Sequence, residues 1–318
     1  MGYAKSEAKE FARSTLRGIW AATTTPFKPD DLSVDVAGYE RNIDHWVGTL
    51  GIKGLFVSGK QGEFFSMSVE ERKQSFEIAV KAAAGRAHIL ASASDQNMDT
   101  VIELARHAEK VGCDYVVVHA PIFHFHKEVD EPALEYYRHI ASKIGIGLVL
   151  WSHPDSGYLL SPETVSRIAD IENVVGIKYS VPREMYAQLT RDAGHKLVVS
   201  SASEVELLDN ILELGWQVYL CSTPPFLLQT ARDQRINRYA ELAWAGDAAE
   251  ARAVWDSLQP VRRAFKASQP ADKPHAHQKY WQELLGQVGG PVRRPLLNLT
   301  DAEKAVTRAA FESCGLEL

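Results

Sequence analysis

Between residues 18 and 245, short apolar runs alternate with longer segments of helical period. No other feature of the chain limits its fold as much. The apolar runs occupy residues 19–25, 54–58, 88–93, 115–119, 147–151, 175–180, 197–201 and 218–222. Each is nearly continuous rather than alternating, which is the pattern of strands buried on both faces of a parallel sheet. Between them lie helical segments at 34–50, 68–85, 100–111, 132–144, 162–173, 183–192 and 204–214. Ser68 with Glu71 three residues on makes a capping box, and Ser161-Pro162 pairs an N-cap with a proline in the first turn. Gly85, Gly112 and Gly215 supply stops. Strands and helices in this order predict an α/β chain forming a (β/α)8 TIM barrel. A doubly wound sheet competes, but it often has a glycine-rich first turn. Here that turn reads Thr23-Thr24-Thr25-Pro26-Phe27. Beyond residue 246 the pattern is purely helical, at 248–258, 278–285 and 305–314, the last opened by the capping box Thr300 to Glu303. The expected organisation is an N-terminal extension (1–17), a barrel (18–245) and a C-terminal helical appendage (246–318).

Bulk properties exclude several classes of function. The chain has 318 residues, 45% hydrophobic and 24% charged, with a net charge of −6. No basic run suggests a nucleic-acid footprint, and no apolar run reaches the length of a membrane span. Cys113, Cys221 and Cys314 are odd in number and widely separated, so they form neither a disulfide framework nor a zinc pattern, and a cytoplasmic setting is expected. The first residues lack the apolar core of a secretory signal. Met1-Gly2 to Ser6 satisfies the short myristoylation pattern, but one acyl chain anchors poorly. The segment reads as an amphipathic extension.

In barrels of this kind the chemistry sits at the C-terminal ends of the strands. Those ends present Thr23 to Thr25, Gly59 to Glu63, Ser92 to Asp95, His119, Trp151 to His153, Lys178, Ser200-Ser201 and Cys221-Ser222. Lys178 closes Val175-Gly176-Ile177, a run that reads as buried. A lysine there either reaches past the strand end into solvent or is used in chemistry. A desolvated amine, or one beside another cation such as Lys60, can be neutral and attack a ketone. The resulting iminium is an electron sink, so a bond one carbon away can be made or broken.

Six motifs in order extend this reading: Thr25-Pro26-Phe27; Gly59-x-x-Gly62-Glu63; Leu104-Ala105-x-x-Ala108-Glu109-x-x-Gly112-x-Asp114; Pro154; Gly176-Ile177-Lys178; and Gly290-Pro291-Val292-Arg293-Arg294-Pro295-Leu296. With them the chain, from about Gly18 to Leu316, resembles the dihydrodipicolinate synthase / N-acetylneuraminate lyase family of class I aldolases. The resemblance implies a barrel with C-terminal helices, commonly a homotetramer. It also implies Lys178 as the Schiff-base lysine for pyruvate or another 2-oxo acid, with no separate cofactor. The chain departs from the family pattern in the loop after strand two, which usually reads Gly-Thr-Thr-Gly-Glu and here reads Gly59-Lys60-Gln61-Gly62-Glu63. Trp151 and Phe123 stand where the family has tyrosines, and Pro154-Asp155-Ser156-Gly157 lacks the usual arginine. These departures argue against dihydrodipicolinate synthesis itself.

His153, two residues past Trp151, is a replacement acid/base, with loop capping as its plain alternative. Lys60 is a cation for a carboxylate, or else solvated or paired with Glu63, and Gln61 is a hydrogen-bonding partner for a carboxylate. Tyr179 should point away from Lys178 by strand alternation. The candidate set is thus Lys178 and His153 as catalytic residues, and Gly59, Lys60, Gln61, Gly62, Phe123, Trp151, Ser200 and Leu220 around the substrate. His119, His124 and His126 could join His153 around a metal. Without a carboxylate pattern, and with a lysine that makes a Lewis acid unnecessary, they read as pocket or loop residues. His275 and His277 are expected to be exposed on the appendage.

Trp20, Phe64, Phe65, Phe123, Phe125 and Trp151 would give the mouth an aromatic character. That favours a bulky or aromatic partner, as in hydratase-aldolases of the family. Gly62-Glu63-Phe64-Phe65-Ser66 also resembles the family's 2-keto-3-deoxy sugar acid dehydratases. A third reading is a catalytically silent member acting as a small-molecule sensor.

Overall fold

A computed structural model describes residues 2–123, 127–201, 203–220 and 223–318. Helix α1 (Ala8–Thr15) precedes strand β1 (Gly18–Ala22), followed by α2 (Val36–Asp44), β2 (Gly54–Val57), α3 (Val69–Ala83), β3 (His88–Ser92) and α4 (Met98–Val111). Then come β4 (Tyr115–His119), α5 (Asp130–Lys143), β5 (Gly147–Ser152), α6 (Pro162–Ile168), β6 (Val174–Tyr179), α7 (Arg183–Ala193), β7 (Val198–Ser200), α8 (Leu207–Leu214) and β8 (Val218–Leu220). The remaining helices are α9 (Arg235–Trp244), α10 (Ala248–Ser257), α11 (Gln259–Ala267), α12 (Pro274–Leu284) and α13 (Asp301–Glu312).

The sheet is parallel, in the order β7-β6-β5-β4-β3-β2-β1-β8, and forms the TIM barrel expected from the alternation. Between β7 and β8 a side chain bridges the strands. Ser200 Oγ donates to the Val218 carbonyl at 3.2 Å and accepts the Leu220 N–H at 3.0 Å. The β5–β6 register skips Val175 between Val174 and Gly176. One extra residue reverses the facing of everything after it. Downstream of the skip Lys178 faces the barrel interior, while Tyr179 points outward and donates its hydroxyl to the Leu160 carbonyl, as alternation predicts.

Three expectations need correction. Trp20 is not at the mouth. It is fully buried and stacks on His88, the first residue of β3, at the opposite end of the barrel. It fits because Gly54 beside it lacks a Cβ, which would lie 2.1 Å from the indole. Helix α11 fills part of the gap between the helical segments expected at 248–258 and 278–285, with Pro260 in its first turn, where a missing N–H has no partner to lose. His277 is completely buried rather than exposed, packed against Phe265 and Trp281 with Nε2 2.9 Å from Ser268 Oγ. Burial lowers its pKa to about 4. No helix among the described residues is long and apolar enough to cross a membrane.

Candidate active site

Strand register collects the site. His119 pairs with Trp151, Trp151 with Lys178, and Lys178 with Ser200, so four consecutive strand ends carry one row of side chains. Lys178 is 2% exposed. Its Nζ lies 4.8 Å from the centroid of Phe56 on β2 and 5.1 Å from that of Trp151. Those two rings meet edge to face at 5.5 Å. The amine is therefore held between two aromatic surfaces, a contact of the cation–π type when it is charged. Phe56 is a residue the sequence reading missed, because inside an apolar strand it is indistinguishable from core.

The loop after β2 closes over this row. Gly59 is required because a Cβ there would lie 2.8 Å from the Phe56 ring. At Gly62 a Cβ would lie 3.1 Å from the Thr23 carbonyl, and the Gly62 carbonyl accepts from Thr25 Oγ1 at 2.9 Å. Lys60 is not paired with Glu63. It donates to Asp155 Oδ2 at 2.6 Å, a half-exposed pair joining the loops after β2 and β5. Glu63 is taken instead by Lys279 of α12 at 2.5 Å, with both side chains fully buried. Glu63 also accepts the Arg293 N–H at 3.0 Å, and Lys279 donates to the Pro291 carbonyl at 2.8 Å. Burial pulls the Lys279 ammonium below its ordinary pKa, and Glu63 opposes the shift. The C-terminal helices thus anchor the loop from below, an arrangement between residues too distant in sequence to be read from either segment. His275 joins them, donating Nε2–H to the Lys60 carbonyl at 2.9 Å; it too is partly buried rather than exposed.

His153 caps the turn that follows it. Its Nδ1 accepts the Asp155 N–H at 3.2 Å. Burial, aided by Lys60, His119 and Lys178, holds its pKa below the ordinary histidine value against the pull of Asp155. Asp155 Oδ1 lies at the same 3.2 Å from Nδ1, so this nitrogen is taken up by its own turn. Ser200, also expected near the substrate, spends its hydroxyl on the β7–β8 seam. Leu220 is buried at the end of β8. Phe123 stacks on Tyr158 at 5.8 Å. His124, Phe125, His126, Cys221 and Ser222 lie outside the described residues. Among the described residues no group of three His, Cys, Asp or Glu side chains is placed to hold a metal.

Two cavities flank the Lys60–Asp155 pair. One, of about 670 Å³, is lined by Lys60, Gln61, His153, Ser201, Ser203 and Arg262 among others. The second, of about 380 Å³, has an aromatic wall made of Phe64, Phe65 and Trp151, with His119, Arg72 and Lys60 around it. Around the row, Ser58 Oγ, Trp151 Nε1 and Ser180 Oγ are buried and bonded by no described residue. Such atoms cost about 1–3 kcal/mol each unless something satisfies them; similar atoms also occur away from the row, at Tyr136, Asn173 and Asn210.

A profile of the Dihydrodipicolinate synthetase family matches residues 15–313. The 4-hydroxy-tetrahydrodipicolinate synthase of Acidiphilium cryptum is 32% identical over 304 residues, covering 94% of this chain and 98% of that one. The synthase of Bradyrhizobium diazoefficiens is 28% identical over 309 residues, covering 96% and 99%. Among solved structures, a dihydrodipicolinate synthase superposes with a TM-score of 0.80 at 26% identity, over 94% of this chain and 99% of that one. A prophage protein of the family from E. coli K12, solved with pyruvate, superposes at 0.82 and 23% identity, over 94% and 98%, a likeness of fold. With a match over nearly its whole length and the strand-end lysine in place, the chain belongs to the dihydrodipicolinate synthetase family of class I aldolase-like proteins.

Proposed function

We propose that this protein is a lyase in which Lys178 forms a Schiff base with pyruvate or another 2-oxo acid and catalyses aldol cleavage or condensation, but not dihydrodipicolinate synthesis. The observation that carries this is Lys178 itself, a 2% exposed amine at the end of β6, pressed between Phe56 and Trp151. The amine attacks the ketone, water leaves, and the iminium accepts the electron pair of a bond one carbon away. Structures of similar proteins solved with pyruvate support the choice of 2-oxo acid. Trp151 and Phe123 have no transferable proton where the synthase pattern has tyrosines, which argues against the synthase reaction. The Phe64, Phe65 and Trp151 wall favours an aromatic or bulky aldehyde as the second product, as in hydratase-aldolases.

The larger cavity, with Lys60, Gln61, His153, Ser201, Ser203 and Arg262 in its lining, favours a second reading, a 2-keto-3-deoxy sugar acid dehydratase or aldolase. The family resemblance suggests a cytoplasmic homotetramer. Incubation with pyruvate and a panel of 2-oxo acids, borohydride reduction and intact-mass measurement tests the central claim. An adduct is expected in the wild type and absent in Lys178→Ala. A folded wild type that traps none of them is a sensor or silent member instead.

A further inference from the structure

The geometry points to His119 as the catalytic base that removes the hydroxyl proton of a 4-hydroxy-2-oxo acid held as an imine on Lys178. This rests on the Schiff-base reading above and supplies the proton acceptor that Trp151 and Phe123 cannot provide.

The two histidines at the mouth hold their Nδ1 atoms against different partners. His119 Nδ1 lies 2.8 Å from the Ala120 carbonyl oxygen. A carbonyl can only accept, so Nδ1 carries the proton and Nε2 of the neutral ring is bare. Ser156 holds that arrangement, donating to the same carbonyl at 2.9 Å with its Oγ 3.2 Å from Nδ1. His153 Nδ1 is engaged by its own turn instead, 3.2 Å from both the Asp155 backbone nitrogen and Asp155 Oδ1, so Nδ1 has a partner there in either tautomer. The rings are 6.4 Å apart. His119 thus keeps a basic Nε2 that no described residue bonds, and its tautomer is fixed by the Ala120 carbonyl.

His119 lines the aromatic cavity and meets the Trp151 ring edge-on at 4.7 Å. Lys178 approaches the same indole from the next strand, 5.1 Å from its centroid. Lys178 and His119 thus sit against the same indole from neighbouring strands, and the proposed imine of a 4-hydroxy-2-oxo acid has its hydroxyl end toward His119 and its substituent toward Phe64 and Phe65. The charged and titratable groups acting on His119 are Asp155, Lys60 and Lys178, with His153 beside it. Burial is the main cause that keeps the ring below its ordinary pKa of 6.5, with Lys60 and Lys178 adding to it and the Ala120 carbonyl and Asp155 opposing. The ring is thus neutral, and so a base, at neutral pH.

In cleavage, the hydroxyl proton passes to Nε2 and the O–H electron pair becomes the new carbonyl π bond. The C3–C4 bond breaks, and its pair forms the enamine double bond as the iminium nitrogen is neutralised. The aldehyde leaves and the imidazolium releases its proton to solvent. No oxidant or metal takes part in this balance.

His119→Asn tests the assignment, because its amide N–H can still reach the Ala120 carbonyl while no base remains; His119→Gln is the second variant. Two readouts are needed: borohydride trapping of pyruvate, and release of benzaldehyde from 4-hydroxy-2-oxo-4-phenylbutanoate across about pH 5 to about pH 8. Trapping is expected at the wild-type level, which also certifies the fold. Cleavage is expected to fall roughly 100-fold or more, and the acid limb of the pH profile to disappear. Cleavage at the wild-type rate, a persistent acid limb, loss of trapping in both variants, or a wild type that traps pyruvate yet leaves this probe intact would each overturn it. A wild type that traps no 2-oxo acid fails the Schiff-base reading instead, which separates the two failures.

Discussion

At the N-terminal end of the barrel, helix α1 and the residues before it lie as a strap across the strand starts, and its polar groups are spent on bonds. Tyr3 Oη donates to the Asp114 carbonyl and accepts the Gly147 N–H. Lys5, Lys9 and Arg13, spaced one helical turn apart, donate to the carbonyls of Ala141, Ala169 and His195. Those carbonyls lie in or just beyond the last turns of α5, α6 and α7, where free C=O groups and the negative end of the helix dipole favour a cation. Leu16 packs beside Gly176 and is buried. At the C-terminal end the accounts are left open: Ser58, Trp151 and Ser180 carry buried polar atoms that no described residue satisfies, and an amine sits against two aromatic faces. One end is arranged for stability. The other leaves polar atoms at the strand ends that a bound polar substrate would satisfy.

Three substitutions press on that contrast. Glu63→Gln should have the largest effect on stability, because it leaves the Lys279 charge buried beside a neutral amide. Breaking a buried pair costs about 3–5 kcal/mol, read as a lower urea midpoint. Since Glu63 also anchors the loop over Lys178, imine trapping should slow as well, and unchanged trapping would show that the loop does not depend on its anchor. Tyr3→Phe removes the donor to Asp114 and the acceptor for Gly147, at about 1–3 kcal/mol for the stranded groups. Trapping at Lys178 should be unaffected, and a coupled loss would break the separation of the two ends. Lys9→Ala is the mildest, about 0.3–1 kcal/mol for one cation at a helix C-terminus. Its effect should shrink in high salt, and a salt-independent loss would assign the residue to packing.

How much of this was legible depends on the range over which it is encoded. Strands β1 to β8, the caps at Ser68, Ser161 and Thr300, and Lys178 at a strand end follow from local periodicity and end signals, which a short window of sequence contains. Lys60 was readable as a loop cation, but its partner was not. Asp155 and Glu63 are both acidic loop residues, and only the closed barrel brings the loops after β2 and β5 together while α12 claims Glu63. His153 was readable as a histidine at the mouth; that its Nδ1 is consumed by its own loop is a matter of backbone geometry. His119 reads from the sequence as a pocket or loop residue; that its Nδ1 faces the Ala120 carbonyl and leaves Nε2 bare is again a matter of backbone geometry. Trp20 shows the same limit for direction. An indole in a strand is compatible with either end of the barrel, and the space above Gly54 sends it down.

The sequence by itself determined that this chain closes a parallel barrel and places one lysine on the sixth strand, because apolar period, caps and turn residues act over a few neighbouring positions. The tertiary structure decided what each mouth histidine's Nδ1 faces, which acid takes which lysine, and which face of the Trp151 indole meets the amine. Each of those depends on distances between residues far apart in the chain. Such distances are set only when the elements pack.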